Sequence, residues 1–306
     1  MKILVTGGAG FIGSTLVDEL IKIGHEVAVL DDFSTGLREN VNSQAKIFEA
    51  DIRNLNEIKP AFDGIDYVFH VAALPRVQLS IEDPITTHNI NINGTLNVLV
   101  AARDARVKKV IYSASSSAYG DQDSMPLEET MLPGPISPYA VQKYVGEHYA
   151  RNFSILYGLP TVSLRYFNAY GPRMAMAGGY VTVIAVFLQA LRDGKKLTIT
   201  GDGSQTRDFT FVGDIVRANI AAMTSDKIGR GEVINIGGGH NYSVNKIAEK
   251  IGGEIEYLPP RIEPHDTLAD TGKAKKLLGW EPITGIDSGL DQTIKWFENK
   301  FNCQIK

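Results

Sequence analysis

One cysteine, Cys303, is all the thiol this 306-residue chain carries. A lone thiol excludes an intramolecular disulfide and any cysteine-based metal cluster. No apolar run approaches the roughly twenty residues that a membrane-spanning helix needs. Basic residues do not dominate: 31 Lys and Arg stand against 35 Asp and Glu, and no basic block interleaves with aromatics. Nucleic acid is therefore not an expected partner. The opening residues lack the basic start and cleavable apolar stretch of a signal peptide, so a cytoplasmic protein is expected. At 43% hydrophobic and 22% charged residues, the composition is that of a globular enzyme, with one large or two modest domains.

Glycine, by contrast, is placed with purpose. Lys2–Thr6 is a short aliphatic run that predicts a buried strand. Gly7, Gly10 and Gly13 follow at once in the spacing G-x-x-G-x-x-G, and Ile12–Ile23 has a helical pattern closed by Gly24. Glu26–Leu30 then predicts a second strand, ending on Asp31 and Asp32. Glycines suit that turn because the chain must reverse tightly and let backbone N–H groups approach a pyrophosphate. The anion then rests on the positive end of the helix. Asp31 lies 24 residues after Gly7 (31 − 7), where a carboxylate accepts from ribose hydroxyls and repels a 2′-phosphate. The nearest arginine downstream is Arg38. NAD is favoured over NADP.

Strand and helix patterns keep alternating through the first half. Lys46–Ala50 predicts a third strand and Tyr67–Val71 a fourth, leading into the small-residue loop Ala72-Ala73-Leu74-Pro75. Asp51 at the end of the third could bond an adenine amino group or cap the helix pattern Leu55–Phe62. Ile85–Arg106 predicts one long helix, Val107–Ser113 a fifth strand and Thr161–Tyr166 a sixth. Repeated β-α units imply a doubly wound parallel sheet of the Rossmann type, with ligands at the C-terminal strand ends. Past Asn168 the pattern loosens, so residues 1–168 are expected to form the NAD domain and 169–306 mainly a smaller substrate-binding lobe. Tyr180–Arg192 and Asp214–Met223 are helical there, Lys196–Thr200 a short strand, and Glu232–Ile236 a strand that could return to the main sheet.

Ser137-Pro138-Tyr139-Ala-Val-Gln-Lys143 opens a helix that runs to about Tyr157, with Ser137 as N-cap and Pro138 in the first turn. Tyr139 and Lys143 are four apart, so they share a helix face. A free tyrosine has a pKa of about 10. A nearby ammonium group and an oxidised nicotinamide favour the phenolate, making Tyr139 a candidate general base. Lys143 could also hold the nicotinamide ribose. Hydroxyls of Ser115, Ser116 and Ser117, at the end of strand five, could position the same substrate oxygen.

Taken in order, T-G-G-A-G-F-I-G, D-D-F-S-T-G, D-I-R, S-S-S-A-Y-G, S-P-Y-A-V-Q-K, R-Y-F-N-A-Y-G-P-R, G-D-G-S-Q-T-R-D-F and A-D-T-G-K-A-K-K-L-L-G-W span nearly the whole chain. With them the chain resembles the extended short-chain dehydrogenase/reductase superfamily, specifically its nucleotide-sugar epimerase/dehydratase family, and is most similar to UDP-hexose 4-epimerases. The resemblance implies Ser115 as catalytic hydroxyl, Tyr139 as base and Lys143 as its partner. It implies an NAD site lined by Phe11, Ile12, Asp31, Asp32, Phe33, Ser34, Thr35 and Gly36. Asp51, Ile52, Ala72, Ala73, Leu74, Asn91, Ser113 and Tyr166 would complete that site. For the UDP-sugar it implies Asn168 and Arg207 at the diphosphate, with Val183 and Thr198 nearby. The family's R-x-G-[DE] segment is replaced by Arg261-Ile262-Glu263-Pro264, so Arg261 would reach the diphosphate, and Glu263 or Asp266 the ribose.

Related dehydratases carry a carboxylate after the catalytic hydroxyl, because eliminating water needs an acid and a base at adjacent carbons. Ser116 and Ser117 stand there, so epimerisation is favoured over dehydration. The walls around the hexose would be Pro75, Thr182 and Thr267. Strict glucose/galactose enzymes have a bulky tyrosine at the last, and threonine leaves room for a 2-acetamido group. Expected substrates are UDP-GlcNAc/UDP-GalNAc alongside UDP-Glc/UDP-Gal. Arg76 keeps UDP-glucuronate, as epimerase or decarboxylase substrate, as an alternative; another is a non-catalytic NAD-binding regulator. The resemblance also implies a homodimer formed through a four-helix bundle; no metal is expected.

Overall fold

The computed structural model describes residues 1–176, 182–260 and 265–305. Its first half contains β1 (Lys2–Thr6), α1 (Phe11–Lys22), β2 (Glu26–Asp31), β3 (Lys46–Glu49), α2 (Leu55–Ile58) and β4 (Tyr67–His70). Then come α3 (Val77–Glu82), α4 (Pro84–His88), α5 (Thr95–Asp104), β5 (Lys109–Ser115), α6 (Pro138–Tyr157) and β6 (Thr161–Tyr166). The second half contains β7 (Ala169–Tyr170), α7 (Val183–Arg192), β8 (Leu197–Thr200), β9 (Thr206–Asp208), β10 (Thr210–Phe211) and α8 (Val212–Thr224). It ends with β11 (Arg230–Ile236), β12 (Asn241–Ser243), α9 (Val244–Ile251), β13 (Ile255–Leu258), α10 (Gly272–Leu278) and α11 (Ile286–Phe301).

The main sheet has seven parallel strands in the order β11-β6-β5-β4-β1-β2-β3. This is the expected doubly wound Rossmann arrangement. Alternation along β1 shows why both faces are covered. Ile3 and Val5 pack with Leu16, Val17 and Leu20 of α1 and with Ile215 of α8, whereas Leu4 packs on the other side with Val98 and Leu99 of α5. A strand buried on both faces reads as a continuous aliphatic run. The winding reverses between β1 and β4, and that switch point opens a crevice beyond the strands' C-terminal ends.

The expected strand over Glu232–Ile236 is β11, and it pairs with β6 in the main sheet. A second core of Ile184, Phe187, Leu188, Val244, Ile247, Leu290 and Phe297 holds α7, α9 and α11 together. Small pairs β8–β13, β9–β12 and β7–β10 sit in this half.

The helix expected over Ile85–Arg106 is not continuous. Asn89–Gly94 forms a π turn between α4 and α5, where Gly94 packs so closely that a Cβ would stand 2.6 Å from the Ile52 side chain. The first helix of the second half starts at Val183, capped by Thr182; the expected start at Tyr180 lies outside the described residues. No helix among them is long and apolar enough to cross a membrane.

Candidate active site

Parallel register brings Thr6, Leu30, His70 and Tyr112 level at one sheet edge. Beyond it lies a cavity of about 2070 Å³.

Gly7, Gly10 and Gly13 form one wall of it. A Cβ at Gly13 would stand 2.0 Å from the Gly7 carbonyl oxygen, and Gly7 itself has φ +71; only glycine allows this turn. Gly10 caps α1 without a side-chain bond, so the first turn is open toward an anion. Asp31 is buried, with one oxygen accepting from the Ala9 N–H at 2.9 Å and the other from the Phe33 N–H at 2.9 Å. Burial raises its pKa, and these two N–H groups work against that rise. Its remaining lone pairs are available to a ribose. Arg38, the nearest arginine, pairs with Glu49 and covers the Phe33 ring at 4.0 Å. It is not directed at a 2′-phosphate. The residues therefore fit NAD.

Ser34, Thr35, Gly36, Asp32, Asp51, Ile52, Ala72, Ala73 and Leu74 also line the cavity, as do Phe11 and Ile12. Two expected contacts stand elsewhere. Phe33 lies beneath Arg38 and Asn91 is buried behind Leu74; neither is among the described lining residues. The Asn91 side chain accepts from the Leu74 N–H at 2.8 Å and donates to the Leu74 carbonyl at 3.1 Å. It fixes the loop instead of touching the cavity.

His70 was not singled out in the sequence, and it completes that support. Thr95 donates to the Asn91 carbonyl at 2.7 Å, so it accepts from His70 Nε2–H at 2.9 Å. His70 Nδ1 then accepts from the Thr6 hydroxyl at 2.8 Å, and Thr6 accepts from the Ala72 N–H at 3.3 Å. The tautomer follows from the two ends of this chain. Burial, with Lys143 adding to it, pushes His70 down to about 3, so the ring is neutral.

Ser115, Ser116, Ser117, Ser113, Tyr139, Lys143 and Tyr166 line the adjoining wall. Ser115 accepts from the Ser117 hydroxyl at 2.8 Å, which leaves its own proton for another acceptor. Ser137 caps α6 by accepting from the Ala140 N–H at 3.2 Å, and the Tyr139 N–H is held by Ser80 Oγ at 3.0 Å. Lys143 Nζ donates to the Ser113 carbonyl at 2.8 Å and lies 5.0 Å from the Tyr112 ring centre. Burial lowers Lys143 to about 8, with Glu147 pulling the other way. Ser113 Oγ meets the Tyr166 hydroxyl at 3.1 Å, and Tyr166 donates onward to Asn219. These bonds are spent on the scaffold, and burial raises Tyr166 to about 12.

Asn168, Thr182, Val183, Thr198, Arg207 and Thr267 also line the cavity, as do Pro75 and Arg76. Asn168 Nδ2 donates to the Asp208 carbonyl at 3.1 Å and to Thr267 Oγ1 at 3.3 Å. Thr267 Oγ1 also accepts from the Asp208 N–H at 3.2 Å, so the two predicted substrate residues form one unit. Arg207 is steadied by the Thr206 and His265 carbonyls at 2.8 and 2.9 Å. Asp266 departs from expectation: it accepts from Thr206 and His265 and is not among the described lining residues. Arg261 and Glu263 lie outside the described residues. Val244 and Leu258, which no motif contains, line the cavity as well, together with Gln205 and Phe209 of the G-D-G-S-Q-T-R-D-F segment, to which no role was given. Such an apolar strip with one amide suits a nucleobase.

A switch-point cavity with a glycine turn, an acidic strand end and a Tyr-Lys pair defines a dinucleotide-dependent enzyme of the Rossmann class. The sequence profile of the NAD dependent epimerase/dehydratase family matches residues 3–237. The chain belongs to that family, and NAD is its cofactor. A UDP-glucose 4-epimerase from Thermotoga maritima, solved with UDP-glucose, is 40% identical with a TM-score of 0.94, over 98% of this chain and 100% of that one. A UDP-N-acetylglucosamine 4-epimerase from Methanobrevibacter ruminantium, in complex with UDP-N-acetylmuramic acid, is 36% identical with a TM-score of 0.93, over 98% of each chain. The UDP-glucuronate 4-epimerase of Thermodesulfobacterium geofontis is 37% identical over 99% of this chain and 97% of its own. Overall similarity does not choose among these sugars; the cavity wall must.

Proposed function

We propose that this chain interconverts the C4 epimers of UDP-hexoses, the N-acetylated pair included. The observation that carries the reading is the serine turn: Ser115, Ser116 and Ser117 share a cavity wall with Tyr139 and Lys143, with no carboxylate in the turn to drive dehydration.

Bound NAD supplies a hydride acceptor that returns what it takes. Tyr139, favoured as phenolate by the Lys143 ammonium, removes the proton of the sugar 4-hydroxyl. Ser115 donates to the same oxygen and supports its change to a carbonyl. Asn168 and Arg207 hold the diphosphate, leaving the hexose free to present its other face. Tyr139 then returns the proton, and the 4-hydroxyl is restored with inverted configuration. Thr267 supports the wider substrate range, because its short side chain leaves space where a tyrosine would fill the wall.

Arg76 favours a second reading. It lines the cavity and makes no hydrogen bond or ion pair with any described residue, so a uronate carboxylate would find a cation there. A homodimer is part of the primary proposal. Ile81 and Ile85 on α3 and α4 and Val141 on α6 are 55%, 74% and 43% exposed, and these helices adjoin. A cytoplasmic setting is proposed with it.

The test is incubation of the purified protein, without added cofactor, with UDP-GlcNAc, UDP-Glc and UDP-glucuronate in separate tubes, followed by NMR. Conversion of the first two to their C4 epimers is expected. Turnover of the uronate alone would replace the primary reading with the second.

A further inference from the structure

Two ion pairs join the halves of the protein across the cofactor end of the cavity, and the proposed reaction uses neither. Lys300, near the end of α11, pairs with Glu39 in the turn after β2. Arg173, just beyond β7, pairs with Asp18 of α1 at 2.7 Å. Lys300, Glu39 and Arg173 all line the cavity, and Trp296 and Phe301 of α11 line it too. The Glu39 turn is itself docked on the phosphate loop: the Leu37 N–H and the Asn40 side chain both donate to the Ala9 carbonyl, at 3.1 and 3.3 Å. Asp18 is braced by Asn42 Nδ2 at 2.8 Å. Each pair therefore draws the second half onto an element that frames the dinucleotide. The Lys300 and Glu39 side chains are 38% and 60% exposed, which puts this pair at the solvent rim.

We propose that Lys300–Glu39 and Arg173–Asp18 act as a clasp that sets how slowly NAD leaves. The proposal rests on the NAD site described above and extends the proposed function, since an epimerase that returns its hydride gains by keeping one cofactor over many turnovers. Lys300 and Arg173 are positioning residues, acting on the fit between the halves and not on the reacting atoms. Exposed pairs are individually weak and screened by salt. Loss of one pair should therefore speed NAD release by about two- to fivefold and loss of both by about tenfold.

The experiment uses the full-length holoprotein and reads bound NAD directly. Wild type, Glu39→Lys, Lys300→Glu and the double exchange are dialysed in low and in about 1 M salt. Retained NAD is then measured chromatographically after denaturation, with melting temperature as a check on folding. The single variants should lose NAD faster, the double exchange should recover wild-type retention, and high salt should bring wild type toward the single variants. Equal retention in all four proteins, or retention of wild type unmoved by salt, would overturn the clasp. A wild type that neither carries nor takes up NAD would overturn the reading of the site itself, a separate outcome. Should one single variant misfold, the double exchange and the salt response of wild type still decide the matter.

Discussion

In the proposed reaction, two side chains carry most of the chemistry at the residue scale. Lys143 is lowered by burial to about 8 from the ordinary 10.5, so its ammonium is lost in a window where an exposed lysine stays charged. Raising the pH through that window removes the charge that favours the Tyr139 phenolate. The expected result is a kcat that falls as pH rises past about 8, and a Lys143→Met variant slower by about 10²–10⁴ with no such limb. A limb that survives in Lys143→Met would belong to another group. Thr267 is the proposed determinant of the sugar. Thr267→Tyr should abolish turnover of UDP-GlcNAc while sparing UDP-Glc, measured as kcat/KM on each. Its hydroxyl also accepts from Asp208 and Asn168, so Thr267→Val serves as the control: a modest loss, equal on both sugars. Equal loss in Thr267→Tyr would contradict the proposed wall. Tyr139, Lys143 and the serines could be read from the sequence because spacing alone puts them on one helix face and one strand end. The Asn168–Thr267 unit could not, since its members are 99 positions apart and meet, directly and through the Asp208 backbone, only once the chain has folded.

At the scale of elements, α6 and the glycine turn carry the site. Gly146 lies against β5 so closely that a Cβ would meet the Tyr112 hydroxyl oxygen at 2.2 Å, and Tyr112 is too buried to yield. Gly146→Ala should cost about 1–3 kcal/mol of stability, read from denaturant unfolding, and should also reduce kcat by drawing Lys143 from the Ser113 carbonyl. Loss of stability with kcat unchanged would separate the helix's packing from its catalytic role. At the next position, Glu147 forms a buried bidentate pair with Arg165 at 2.8 and 2.7 Å between α6 and β6. Most strands could be read from the sequence because strands covered on both faces leave uninterrupted aliphatic runs. The failures have physical causes. The π turn at Asn89–Gly94 keeps a helical pattern while changing its hydrogen bonding. Strand β13 is exposed along its whole length, so it carries no alternation to read. Helix α3 is six residues long, too short to declare a period.

The whole molecule is bound together by more than its cleft. If the exposed apolar face of α3, α4 and α6 is the proposed dimer surface, Ile85→Glu should convert a dimer into a 33.4 kDa monomer, measured by light scattering. An unchanged mass would place the contact elsewhere. The sheet's final strand has a consequence for how the protein is made. The β6 strand is wholly buried, yet its outer partner β11 is not complete until Ile236, 70 residues after Tyr166 (236 − 166). At roughly 5–20 residues per second of synthesis, a nascent chain holds that apolar edge open for roughly 3–14 s, a template for any passing strand. The demand this protein places on ribosome-associated chaperones is therefore written into the order of its strands, and it would persist however stable the finished enzyme became.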